Sequence, residues 1–141
     1  MKRIGLILGI CVMAGCTGTP TEHANACAPA NDDQLMEFPG YIVVGTSTMC
    51  TKSGSVTRCP FETVGKPGDQ TGIIRAEIKL GDGSSEVENV DGKGFVIRDA
   101  EGKEVGKDQK VKLTAQIKAV DYGDKRLQNC YVVVKKIEAT Q

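Results

Sequence analysis

Lys110-Val111-Lys112-Leu113-Thr114-Ala115-Gln116-Ile117-Lys118-Ala119-Val120 alternates strictly between polar and apolar side chains. Val111, Leu113, Ala115, Ile117 and Ala119 share one face, and Lys110, Lys112, Thr114, Gln116 and Lys118 share the other. A period of two is the mark of a strand with one face buried and one in water. Gly72–Leu80 repeats it, with Ile74, Ala76, Ile78 and Leu80 set against Arg75, Glu77 and Lys79. The same reading predicts strands at Tyr41–Cys50, Val56–Val64, Phe95–Arg98 and Cys130–Glu138. Glycine-rich turns separate them: Gly65–Asp69, Gly81–Gly83, Asp91–Gly94 and Glu101-Gly102. Asn31–Met36 has room for one short helix, and no long amphipathic segment follows. The fold class is therefore all-β, a small single-domain barrel or sandwich.

The rest of the chain fits that size. It has 141 residues, 26% of them charged, with 18 cations balanced by 18 anions. A balance so even argues against nucleic acid as a partner, because that affinity comes mainly from neutralising phosphates. The single histidine, His23, leaves no second imidazole for a hydrolytic triad or a histidine metal centre. No G-x-S-x-G, S-x-x-K, H-E-x-x-H or Walker pattern is present. We assign no catalytic residue, no metal ligand, no cofactor and no small-molecule substrate. Asp82, Glu86, Glu88 and Asp91 read as a solvated acidic strand, since their spacing fits no EF-hand loop. The alternative is a small hydrolase or another enzyme relying on Asp, Glu and Lys without histidine.

Met1–Gly15 has cations at Lys2 and Arg3, an apolar run from Ile4 to Ala14, and small residues at its end. That is the layout of an export signal, and eleven apolar residues fall well short of the ~20 that span a bilayer as a helix. Val12-Met13-Ala14-Gly15-Cys16 resembles the lipobox of bacterial lipoproteins, with Met13 where Leu is usual. The resemblance implies removal of residues 1–15 and acylation of Cys16 with diacylglycerol and palmitate-type chains. Thr17, standing where that family's inner-membrane retention signal has Asp, implies the outer membrane, facing the periplasm. Residues 16–36 are expected to form the lipidated N-terminus and a flexible tether containing a solvated His23, and residues 37–141 the β domain.

Besides Cys16, four cysteines remain in the mature chain, Cys27, Cys50, Cys59 and Cys130, an even number suited to an oxidising compartment. Three connectivities exist. Cys50–Cys59 reads as a hairpin turning at Gly54-Ser55, where glycine first suits a type II′ loop. Counting outward, Ser53 faces Val56 and Cys50 faces Cys59 as a non-hydrogen-bonded pair, close enough to bridge. Cys27 and Cys130 are left for each other.

The run Lys110–Ile117, a loop, and then Tyr131–Glu138 resembles the last two strands of small OB-fold domains in envelope proteins. The resemblance favours an OB-like five-stranded barrel with an added disulfide hairpin, although a β-sandwich suits the alternation nearly as well. It also makes Asp121–Asn129 the loop between the fourth and fifth barrel strands, a place where that fold takes ligands. Tyr122, Lys125 and Arg126 are accordingly the candidate partner-binding residues, since Tyr and Arg are enriched among interface hot spots. The function expected is a membrane-anchored envelope lipoprotein that binds or scaffolds another envelope protein without catalysis.

Overall fold

A computed structural model describes residues 17–45, 48–90, 94–121 and 123–140. Nine strands make up its regular structure: β1 (Thr19–Pro20), β2 (Leu35–Val43), β3 (Thr51–Ser53), β4 (Val56–Val64), β5 (Ile73–Lys79), β6 (Glu86–Val90), β7 (Gly94–Arg98), β8 (Lys110–Ala119) and β9 (Leu127–Ala139). Five of them close a ring in the order β2-β4-β5-β9-β8, returning to β2. All neighbours are antiparallel except β5 and β9, which run parallel. This is an OB-like barrel, and the disulfide hairpin β3–β4 extends from it. Among the described residues the only helical pieces are two 3₁₀ turns, His23–Asn25 and Pro29–Asn31.

The alternation seen in the sequence fills the barrel. Phe38, Ile74, Ile78, Val111, Leu113, Ile117, Val132, Val134 and Ile137 are almost wholly buried. A single Leu113→Ala replacement at such a site costs about 2–5 kcal/mol, lost transfer energy plus a cavity. Register slips by one residue between Thr114 and Ala115, which lets both be buried and lets β9 change its inward phase. Outside, Lys112 bridges Glu37 at 3.5 Å and Glu138 at 3.0 Å, tying three neighbouring strands together. Those contacts raise the Lys112 pKa. Glu138, hydrogen-bonded by Lys136 and then by Lys112, has its own lowered.

The ring's weakest seam is β2 against β4, paired only at Tyr41–Val64, Ile42–Thr63 and Val43–Glu62. The earlier part of β2 is covered instead by β1, which pairs Thr19 with Met36 and Pro20 with Glu37. Pro39 sits where β2 changes from one neighbour to the other, and Pro60 where β4 passes from β3 to β2. A proline belongs at such a point, because it has no N–H to give a ladder. Along β9, the edge beyond β5 is taken up by the chain between β5 and β8: Ser84 donates to the Lys135 carbonyl and Ala100 to that of Ile137. The β6–β7 hairpin belongs to this stretch, and Phe95 and Val105 pack against the core from it.

Residues 17–33 correct the expectation of a flexible tether. Although the stretch has no apolar periodicity, it folds across the seam through β1, two turns and a disulfide. Cys27 is bridged to Cys130, with Cα atoms 5.6 Å apart, and Ala26 is fully buried beside them. His23, expected in solvent, is 6% exposed. Its ring meets Phe38 edge to face at 5.9 Å and its Nε2 lies 3.1 Å from the Thr63 hydroxyl, which itself donates to the Ile74 carbonyl. The imidazole thus donates through Nε2 and stays neutral: burial lowers its pKa, against the smaller upward pulls of Thr63 and Asp69. The strand expected from Tyr41 begins six residues earlier, at Leu35, and the helix expected at Asn31–Met36 is a turn leading into it.

The second bridge joins Cys50 to Cys59, with Cα atoms 4.1 Å apart. Pairing is Ser53–Val56, Lys52–Thr57 and Thr51–Arg58, and Gly54 has φ 62° with Ser55 on the negative side, as a type II′ turn requires.

Two outcomes follow for stability. Replacing Cys27 and Cys130 by Ala opens a loop of 103 residues, worth about 4.7 kcal/mol on the chain-entropy model, against under ~3 kcal/mol for the nine-residue Cys50–Cys59 loop. Urea unfolding should therefore rank the first variant clearly below the second. His23 contributes a pH dependence of known sign: its folded pKa lies below the unfolded 6.5, so stability is level above that pH and declines as the pH falls beneath it. Melting temperatures at pH 7.5 and 5.0 should differ in the wild type and differ less in His23→Gln. The carboxylates held low, such as Glu138, lose their contribution in a more acid range, as the pH falls from their unfolded values through their lower folded ones.

Candidate functional site

The loop between β8 and β9 is built on two aspartates that fold back on the main chain. Asp121 accepts from the Gly123 amide at 2.8 Å and Asp124 from the Arg126 amide at 2.9 Å. Arg126 also grips the Asp124 carboxylate with its side chain, NH2 to Oδ2 at 2.9 Å and Nε to Oδ1 at 3.3 Å. The guanidinium first, and the amide second, hold the Asp124 pKa down to about 2, and the same pairing raises that of Arg126. Arg126 remains largely exposed and lines a cleft of about 540 Å³. Lys125 is exposed and does not line it. Tyr122 and Cys16 lie outside the described residues.

Three parts of the barrel form this cleft. The end of β2 and the following residue give Ile42, Val43 and Val44, and β4 gives Glu62 and Val64. The facing wall is Phe95–Ile97 with Glu104–Asp108, from the connection between β5 and β8. Gly68, Asp69 and Gln70 bound it beside Arg126. Val43 and Val44 are 42% and 37% exposed, so an apolar wall is left facing water. A second hollow of about 350 Å³ shares Val43 and Glu62 with the first and adds Gly45, Thr48, Pro60, Phe61, Arg75 and Ala76. Together they run from the loop after β2 towards the loop before β9.

Asp69 and Arg126, two of the charges on this surface, are held by local partners. Asp69 accepts from the amide and hydroxyl of Thr71, which lower its pKa in that order. Asp69 and Asp124 are thus kept ionised, the reverse of what a general acid at neutral pH needs. Such a surface can seat an apolar side chain against Val43, Val44 and Phe95 and orient it by charge at the rim. Elsewhere, Glu88 pairs with Arg98 at 2.9 Å and Asp82 with Lys135, so these two members of the acidic stretch serve the sheet. Asp91 lies outside the described residues.

Sequence reasoning reached Arg126 and missed the valines. The signal for them is Tyr41-Ile42-Val43-Val44, four apolar or aromatic residues in a row where alternation breaks down. A strand with both faces in use reads that way.

No family model matches the chain, and no curated protein matches it. Among solved structures the chain is similar to one described as an aspartyl-tRNA synthetase from Leishmania major Friedlin, with a TM-score of 0.47 and 13% identity. That match covers 90% of this chain and spans only 21% of the length of the other, and a likeness of this degree carries no argument about fold or function.

The Asp124–Arg126 contact is open to direct titration. In Arg126→Ala the Asp124 carboxyl should titrate above its wild-type value of about 2, moving part of the way to 3.8 because the residue-126 amide still donates. Carbon-detected NMR of the side-chain carboxyl reads this, and an unchanged value would show that the guanidinium does not govern it.

Proposed function

We infer that this chain is a lipid-anchored lipoprotein of the cell envelope, a non-catalytic module that binds another envelope protein through the cleft beside Arg126. The observation that carries the reading is the cleft itself: exposed Val43 and Val44 beside the rim cation Arg126, on a barrel stiffened by two disulfides. Binding surfaces commonly combine such an apolar centre with a polar rim and an arginine anchor. The address comes from the sequence. Lys2 and Arg3, the short apolar run and Ala14-Gly15-Cys16 favour export, acylation of Cys16 and retention at the outer membrane, facing the periplasm. Bridged cysteines suit that compartment, where thiols are oxidised.

Two variants test the two halves of this reading in cells. Cys16→Ser should accumulate as an unprocessed precursor without lipid label. The triple replacement Tyr122→Ala, Lys125→Ala and Arg126→Ala should still be processed, and its stability should stay within about 0.5 kcal/mol of wild type because Lys125 and Arg126 are exposed. In-cell cross-linking from Val44 should then lose the wild-type adduct. Normal lipid labelling of Cys16→Ser would overturn the anchor, and an undiminished adduct in the triple variant would overturn the site.

A further inference from the structure

The N-terminal segment leaves almost no slack between the proposed anchor and the folded body. Gly18 already packs on β2 so tightly that a Cβ there would stand 2.5 Å from the Met36 carbonyl carbon. Thr19 and Pro20 pair with Met36 and Glu37, the Thr21 amide donates to the Glu37 carbonyl at 2.8 Å, and His23 is buried two residues later. From Cys16 to Gly18 is two residues, a reach of about 7 Å at full extension. A flexible tether over residues 17–33 would instead have averaged about 23 Å.

The direction of entry is set as well. β1 is parallel to β2, so the chain arrives at the end of the barrel where β2 begins. Leu35 pairs with Gln116, and β8 runs on past it to Ala119, which puts the loop carrying Lys125 and Arg126 at that same end. β2 then leads away over seven residues from Met36 to Val43, about 23 Å. β4 is antiparallel to it, with Glu62 opposite Val43, so the Gly54-Ser55 tip lies a further six residues of strand, about 20 Å before tilt, in the same outward direction.

We propose that the barrel stands directly on the lipid surface, with the β8–β9 loop end against the headgroups and the Cys50–Cys59 hairpin pointing into the aqueous compartment. This rests on the acylation of Cys16 argued above. It also narrows the partner: a protein reaching the cleft beside Arg126 must itself lie within one barrel's height of the bilayer.

The test uses the mature lipoprotein in vesicles of phosphatidylethanolamine and phosphatidylglycerol containing an acceptor-labelled lipid. A donor dye is placed through a single azide-bearing residue at Lys125 or at Ser55. Energy transfer from position 125 should exceed that from position 55 severalfold, and a twenty-residue Gly-Ser insert after Thr17 should bring the two close to equality. Equal transfer from both positions without the insert would overturn the orientation. A protein that carries no acyl label on Cys16 would overturn the lipoprotein reading instead. In that event the same two labels are read on protein whose Cys16, the one mature cysteine outside the two bridges, is coupled to a maleimide lipid, and unequal transfer there upholds the orientation.

Discussion

Three residue pairs, Tyr41–Val64, Ile42–Thr63 and Val43–Glu62, are all that joins β2 to β4 and turns a curled sheet into a barrel. Everything unusual about the chain is arranged around that short seam. An open sheet edge beside it would expose unpaired main-chain groups and invite a foreign strand. β1 takes up the free stretch of β2, Pro39 and Pro60 stand at the changeovers, and His23 lies over Gly40 and Gly65 where the strands part. The long disulfide then holds the covering segment in place from its far side.

His23 shows why a polar group can serve in such a spot. The ring is buried, which favours its neutral form, and its N–H needs an acceptor. The Thr63 hydroxyl supplies one and donates its own hydrogen bond to the Ile74 carbonyl, so the chain of donors ends at the main chain. Phe38 offers the imidazole an aromatic neighbour edge to face. Among the described residues, no buried side-chain nitrogen or oxygen lacks a partner.

Much of the barrel was legible because its strands bury one face only. Val56–Val64 has its bounds as read, and Gly72–Leu80 and Lys110–Val120 lie within a residue of theirs, since Ile74, Ile78, Leu113 and Ile117 alternate with charges. The hairpin register was legible from Gly54-Ser55, and both bridges join the cysteines that the count had paired. β2 was obscured because Pro39 and Gly40 interrupt its alternation and because Val43 and Val44 face the cleft. The segment 17–33 was obscured for a different reason. It is held by one ring, one disulfide and two pairs of strand residues, and none of these has a period. Of the candidate binding residues, Arg126 was reachable through the OB-like resemblance of the two strands that flank its loop, whereas its apolar companions belong to elements distant in sequence.

The bridge between Cys27 and Cys130 has one more consequence, for how the molecule responds to cleavage. It ties a residue close behind β1 to one in the final strand, and every turn of the barrel except the first few residues lies inside the closed loop. A protease that cuts once at an exposed turn, such as Gly65–Gln70 or Glu101–Asp108, breaks a peptide bond without producing two molecules. The halves remain joined by sulfur and by the strand pairings of β2, β8 and β9. Separating the two pieces then takes a reductant as well as the cut, so the barrel can be nicked and still remain one molecule.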